Sequence, residues 1–156
     1  TLPRGDWTQE AHLVGCLWIV RDRAEIDPES DMRDIISSYN VAVGGVNDEA
    51  QGYHETITQV YIAAVRAHLR EIGESSLRDA VNAMLLSPRG RRELPLTHYS
   101  RDRLFSVEAR LGFVEPDLRP LAEICSPLSP LRPRHIRRHS SRAHRAVHCR
   151  HELLCR

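Results

Sequence analysis

Residues 53–69, YHETITQVYIAAVRAHL, decide the fold, because they join a strong helical pattern of apolar residues to a cluster of reactive side chains. If residues 53–72 form a helix, a turn of about 100° per residue brings the apolar side chains into one arc of about 140°. That arc holds Ile57, Val60, Tyr61, Ala64 and Val65. A helix with such a face must bury it against other helices.

Polar side chains lie on the same face. His54, Thr58 and Tyr61 occupy positions i, i+4 and i+7, so they form a ladder within the arc or at its edge. Glu55 points about 100° away from His54, so the two cannot bind one ion from an undistorted helix. The imidazole therefore has two interpretations. It is a core histidine bonded to a neighbouring hydroxyl or carbonyl, or it is a metal ligand or general base in a pocket between helices.

Composition favours helices over sheets. A chain of 156 residues fits one domain, and aromatic residues make up only 5% of it, so Leu, Val, Ile and Ala supply the apolar content. These features predict an all-α fold: a compact bundle of about four main helices followed by short helical turns. The helical domain is predicted to span residues 1–125.

The charges are divided unevenly along the chain. Residues 1–125 carry 14 Arg against 20 acidic residues, whereas residues 126–156 carry 8 Arg against the single acid Glu152. All 22 basic residues are Arg, which is typical of a GC-rich bacterial genome. A net negative domain without a basic helix face is not expected to bind nucleic acid. Without a segment of membrane-spanning length or a signal-peptide pattern, the protein is predicted to be cytoplasmic, with reduced cysteines.

Capping residues mark the ends of the predicted helices. The predicted N-caps are Thr8, Asp27, Ser76, Ser100 and Ser106. Pro28 suits the first turn of the second helix, and Gly44-Gly45 and Gly73 are expected to end the second and third helices. Residues 91–99 are predicted to form an ordered loop.

Other elements supply further candidate groups. In the first helix, Glu10 and His12 diverge by about 200°, so at most one of them faces a given pocket, and Glu10 also suits a first turn as a partner of the helix dipole. His98 and Tyr99 lie in the predicted loop, where functional groups are common. The candidate metal ligands are Glu10, His12, His54 and His98. The candidate ligand-binding residues are His54, Thr58, Tyr61 and Tyr99.

Two functions are compatible with these residues. In the first, His54 lines an interhelical pocket that binds a divalent metal ion or a small polar ligand, as facing helices of a bundle can do. In the second, the protein is a non-catalytic interaction module that forms a homodimer, and His54 only completes a core hydrogen bond. The usual motifs of nucleotide-binding proteins, zinc proteases and serine hydrolases are absent from the sequence, so catalysis stays an open question.

Residues 126–156 differ in composition from the rest of the chain and are rich in Arg, His, Pro and Ser. One interpretation is a disordered basic tail that contacts nucleic acid or acidic surfaces. A second is a metal site formed by His144, His148, Cys149, His151 and Cys155, although their spacing matches no common zinc motif. The third, which composition favours, is a segment translated out of frame.

The chain resembles a group of small bacterial all-helical proteins with no known activity. The resemblance rests on Glu10-Ala11-His12-Leu13, on residues 53–58, on His98-Tyr99-Ser100 and on residues 114–118. It covers roughly residues 7–121 and does not extend into the Arg-rich tail. It implies an all-helical fold and assigns no chemistry to any residue.

Overall fold

The structure is a computed structural model that describes residues 8–126. Within this range the chain forms seven α-helices, two short 3-10 helices and no strand, which confirms the all-α prediction. The four main helices are α1 (Gln9–Asp22), α2 (Pro28–Ala42), α3 (Glu55–Ile72) and α4 (Leu77–Leu86). The shorter elements are α5 (Leu94–His98), α6 (Arg101–Leu104) and α7 (Val107–Leu111), with 3-10 turns at Pro88–Gly90 and Leu121–Glu123. No helix in the described range has the length and hydropathy to cross a membrane.

The predicted caps are confirmed. The Thr8 hydroxyl accepts a bond from the Ala11 amide, and Asp27 accepts one from Glu29. Ser76 accepts from the Asp79 amide at 3.1 Å and donates to the Asp79 carboxylate at 2.7 Å. Ser100 and Ser106 cap α6 and α7 by accepting from the amides of Arg103 and Ala109. Each cap supplies an acceptor for a backbone N–H that has no partner within its helix.

Two predicted boundaries are corrected. The third helix begins at Glu55 and not at residue 53, because His54 adopts an extended conformation and caps it. The segment predicted as a loop over 91–99 contains the helix α5, with Pro95 in its first turn, where the missing N–H costs no hydrogen bond. Gly73 ends α3 as predicted, with a φ of 63°.

Helix α3 lies at the centre of the bundle. It contacts α1, α2, α4 and α7, and α1 also packs against α4. The main core is formed by fully buried apolar side chains from these helices, including Leu17, Val60, Ala64, Val65 and Ala80. A second, smaller cluster of Ile19, Met32 and Ile62 attaches α2 to α1 and α3. Helix α2 therefore packs against the rest of the bundle through only a small apolar cluster.

A buried arginine holds the end of the described chain. Arg89 is only 2% exposed, and its guanidinium donates to the carbonyl of Ile124 at 3.0 Å and to that of Ser126 at 2.7 Å. It also pairs with the Glu71 carboxylate at 2.5 Å. The predictions for the tail, including its histidine and cysteine site, fall on residues 127–156 and lie outside the described residues.

Candidate ligand-binding site

A cavity of about 460 Å³ lies between α1, α2, the start of α3 and the segment 43–54. Its volume is in the range of small-molecule sites in proteins, about 300–1,000 Å³. Most of its wall is apolar. Aliphatic side chains from three helices supply that wall, among them Leu13, Ile19, Met32, Ile35, Ile36 and Ile57.

Four of the predicted site residues line this cavity: His12, His54, Thr58 and Tyr61. The structure thus brings together one group from α1 and three from the start of α3, as the pocket hypothesis expects. Glu10, His98 and Tyr99 are not among the residues that line it. Glu10 is exposed, and its pKa is lowered chiefly by a hydrogen bond from Thr8.

His54 uses both ring nitrogens in the fold. Nε2 lies 3.0 Å from the carbonyl oxygen of Leu104, and Nδ1 lies 3.4 Å from the amide nitrogen of Ile57. A carbonyl can only accept and an amide N–H can only donate, so the proton is on Nε2 and the ring is neutral. Burial, followed by the nearby charge of Arg110, lowers the pKa of His54. His54 is thus a capping residue that forms part of the cavity wall.

The two hydroxyl groups of the predicted ladder are also bonded within the protein. Thr58 donates to the carbonyl of His54 at 2.9 Å, and Tyr61 donates to the carbonyl of Arg91 at 3.0 Å. Burial raises the pKa of Tyr61 to about 12, so it stays a phenol. Neither group is activated as a nucleophile or base by a neighbour of the kind that catalysis requires.

The remaining polar residues of 53–58 join the start of α3 to distant segments. Glu55 pairs with Arg33 at 2.6 Å and accepts a bond from Tyr53. Thr56 is fully buried, donates to the carbonyl of Gly112 at 3.0 Å and accepts from the amide of Val114 at 3.2 Å. The cluster of polar side chains at residues 53–58 thus mainly forms structural contacts.

His98 and Tyr99 have a structural role as well. The ring of His98 donates to the Arg119 carbonyl at 3.1 Å, and the hydroxyl of Tyr99 donates to the Val114 carbonyl at 2.9 Å. The next residue, Ser100, bonds to Asp117 through both its amide and its hydroxyl. The two short motifs at 98–100 and 114–118 therefore bind each other, away from the cavity.

The four predicted metal ligands do not converge. Within residues 8–126 no group of three His, Cys, Asp or Glu side chains is arranged to hold a metal ion. Only His12 and His54 share the cavity, and the His54 nitrogens both have protein partners. A metal ligand needs an unprotonated nitrogen with a lone pair directed at the ion.

Cys16 contributes a thiol to the cavity wall. Burial raises the pKa of this thiol to about 12, and the charge of Glu29 acts in the same direction. Because the thiolate is the reactive form of cysteine, Cys16 is an inert apolar group here.

The fourth wall of the cavity is a loop organised by Asn47. Its side-chain oxygen accepts bonds from Asn40 at 2.8 Å and from the Tyr53 amide at 3.1 Å, and its amide donates to the Ser37 carbonyl at 3.1 Å. Gly52 closes the loop with a φ of 82°, and a Cβ atom there would lie 2.3 Å from the Val46 carbonyl oxygen. The wall is therefore fixed by side-chain bonds and by a position that requires glycine.

The sequence predicted four polar residues that line the cavity, His12, His54, Thr58 and Tyr61, but not its other polar residues or its apolar wall from α2. A signal for that wall was present. Met32, Ile35, Ile36, Tyr39 and Val43 keep a helical period, yet Ile35 stays 38% exposed because no further helix within residues 8–126 covers it. The apolar stripe of α2 is wider than the surface that the neighbouring helices cover, and its uncovered part forms the wall of this cavity.

Comparisons with protein-family models, with curated proteins and with solved structures found no match to the chain. The resemblance to small bacterial helical proteins stays a prediction.

Proposed function

We propose that the protein binds a small organic molecule in the cavity between α1, α2 and α3. The observation that carries the proposal is the cavity itself: a pocket of about 460 Å³ whose wall is mainly apolar and whose polar lining residues come from all three helices.

The volume limits the size of the ligand. A cavity of about 150 Å³ holds benzene, so about 460 Å³ accommodates roughly 18 non-hydrogen atoms. An organic ligand suits the wall better than the divalent metal ion that the sequence also allowed. A metal ion needs several converging charged or imidazole ligands, and an apolar wall contributes none of them.

The test compares two tryptophan variants on the same helix end. Val43 lines the cavity, whereas Val41 is 65% exposed and is not among the lining residues. Val43→Trp fills part of the cavity, and Val41→Trp adds the same side chain to the surface. Ile35→Trp, at a second lining position, gives an independent blocked form.

Binding is measured by calorimetry with 2-naphthylmethanol, 2-naphthoic acid and 2-naphthylmethylamine, each small enough for the cavity. At about −0.4 kcal/mol per non-hydrogen atom, a 12-atom ligand has a dissociation constant of roughly 0.3 mM. We expect wild type and Val41→Trp to bind at least one compound equally well, and Val43→Trp and Ile35→Trp to bind it at least about tenfold more weakly. Binding unaffected by both cavity variants, or no binding at all, would refute the proposal.

Self-association is a second candidate function. Val107 and Leu111 stand at i and i+4 on one face of α7 and are 46% and 49% exposed. Apolar side chains placed together on a surface favour contact with another protein, and a second copy of the chain is the partner we propose. Sedimentation should give a dimer that Leu111→Glu dissociates. A monomer at about 100 μM would exclude a homodimer at this surface.

A further inference from the structure

We infer that the ligand of the cavity is an uncharged molecule with an apolar body and a hydroxyl or other donor group. This inference rests on the proposed function and specifies the class of ligand. It follows from three properties of the wall: its charges, its hydrogen-bond donors and its remaining acceptors.

The first property is the absence of charge. Of the residues that line the cavity, all of which belong to the described part of the chain, none is Asp, Glu, Lys or Arg. Charged residues make up 28% of the sequence, so a wall without them contrasts with the rest of the surface. A carboxylate, phosphate or ammonium group moved into this wall would lose its hydration without gaining an opposite charge.

Nearby charges are turned away from the cavity. The Glu55 carboxylate binds Arg33, Tyr53 and Gln59 and is not among the lining residues. Arg110 donates to the backbone carbonyls of Gly52 and Tyr53, and it too lies outside the lining set. His54, the most buried imidazole of the wall, is neutral by its hydrogen bonds.

The second property concerns donors. Binding an anion requires N–H or O–H groups directed at it. The N–H of His54, the hydroxyl of Thr58 and the hydroxyl of Tyr61 all donate to backbone carbonyls of the protein. The Asn40 amide donates to Asn47. These four donors hold the fold, so an anionic ligand could use them only by breaking the bonds that they already form.

The third property concerns acceptors. A hydroxyl oxygen has two lone pairs besides the proton that it donates. Thr58 lines the cavity and gives its one hydroxyl proton to the His54 carbonyl, so the Thr58 oxygen retains acceptor capacity. A ligand hydroxyl can donate to such an oxygen, whereas a carboxylate, which only accepts, cannot. The wall thus favours an alcohol over the acid of the same skeleton.

The test uses the full chain and three compounds with one naphthalene body: 2-naphthylmethanol, 2-naphthoic acid and 2-naphthylmethylamine. At about pH 7.5 the first is neutral, the second anionic and the third cationic. Calorimetry at two salt concentrations gives the affinities, and Val43→Trp identifies binding within the cavity. We expect the alcohol to bind at least about tenfold more tightly than either charged compound, with little dependence on salt.

The outcomes separate this inference from the function on which it rests. If the acid or the amine binds as tightly as the alcohol and Val43→Trp abolishes that binding, the uncharged class is wrong while the binding function stands. If none of the three compounds binds, both are wrong. Thr58→Val, which removes the hydroxyl at nearly constant volume, should weaken the alcohol more than 2-methylnaphthalene, and an equal effect on both would overturn the role of the acceptor.

Discussion

Replacing His54 tests whether its ring acts as a helix cap, and the choice of substitute separates its two hydrogen bonds. His54→Ala removes both the acceptor for the Ile57 amide and the donor to the Leu104 carbonyl. His54→Asn restores an acceptor at the N-cap position, where Asn is among the preferred residues, but does not replace the long reach to Leu104. The difference between the two variants therefore measures the cap alone.

The structure sets the magnitudes. Loss of an N-cap acceptor costs about 1 kcal/mol, and removing the donor to a buried carbonyl costs about 1–3 kcal/mol. His54→Ala should thus lower the free energy of unfolding by about 2–4 kcal/mol, and His54→Asn by about 1 kcal/mol less than that. His12→Ala is the control, because this half-buried imidazole bonds to the Thr8 carbonyl within the first turn and caps no helix. It should cost less than about 1 kcal/mol.

Urea unfolding followed by circular dichroism gives these values, provided that the slope with denaturant stays constant across the variants. Equal losses for His54→Ala and His54→Asn would mean that the Ile57 amide gains nothing from the ring. A loss for His54→Ala no larger than that of His12→Ala would refute the assignment of His54 as a structural residue.

Three further predictions concern the titration of His54, the turn at Gly52 and the buried Arg89. Because burial and the charge of Arg110 lower the pKa of His54 below its usual 6.5, the unfolded chain binds this proton more readily than the folded one. The contribution of His54 to the free energy of unfolding is therefore fully present above about pH 6.5. It is lost as the pH drops toward the pKa of the folded state, by up to about 1.4 kcal/mol per pH unit. The urea midpoint of the wild type should accordingly fall further between pH 7 and pH 5 than the midpoint of His54→Asn. Gly52→Ala should lower the melting temperature more than Gly44→Ala. Both positions have a positive φ, but only at Gly52 would a Cβ atom meet a backbone oxygen. Equal decreases in melting temperature would contradict this steric explanation. Arg89→Ala should lower the free energy of unfolding in urea by about 3 kcal/mol. This is the low end for a broken buried ion pair, because the Glu71 side chain is 37% exposed. A loss under about 1 kcal/mol would mean that the contacts of Arg89 with the C-terminal carbonyls do not stabilise the fold.

The sequence predicted the local features of the fold well. Each N-cap at Thr8, Asp27, Ser76, Ser100 and Ser106 is a contact between residues two or three positions apart, so the capping residue and its partner lie in one short window. The apolar period of α3 likewise sets its buried face without knowledge of the other helices. These signals need no tertiary information.

The long-range partners could not be predicted. Thr56 meets Gly112 across 56 residues, and His98 meets Arg119 across 21 residues, and neither pair has a pattern that ties the two positions. The cap at His54 was missed for a different reason. The apolar period of α3 continues smoothly back to Tyr53, and histidine is not one of the common N-cap residues, so the pattern placed the helix start too early.

Contacts at the start of α2 and in the loop that follows it hold this helix beside the cavity. Helix α2 joins the bundle through the small cluster of Ile19, Met32 and Ile62, and its side chains Ile35, Ile36 and Tyr39 line the cavity. At the start of the helix, Glu29 forms two bonds to Arg66 of α3, at 2.8 Å and 2.6 Å. At its end, Asn47 ties the following loop back to Ser37 and Asn40. These contacts fix α2 on either side of the cavity, so an apolar molecule bound there would bury its surface against side chains that are already held in place.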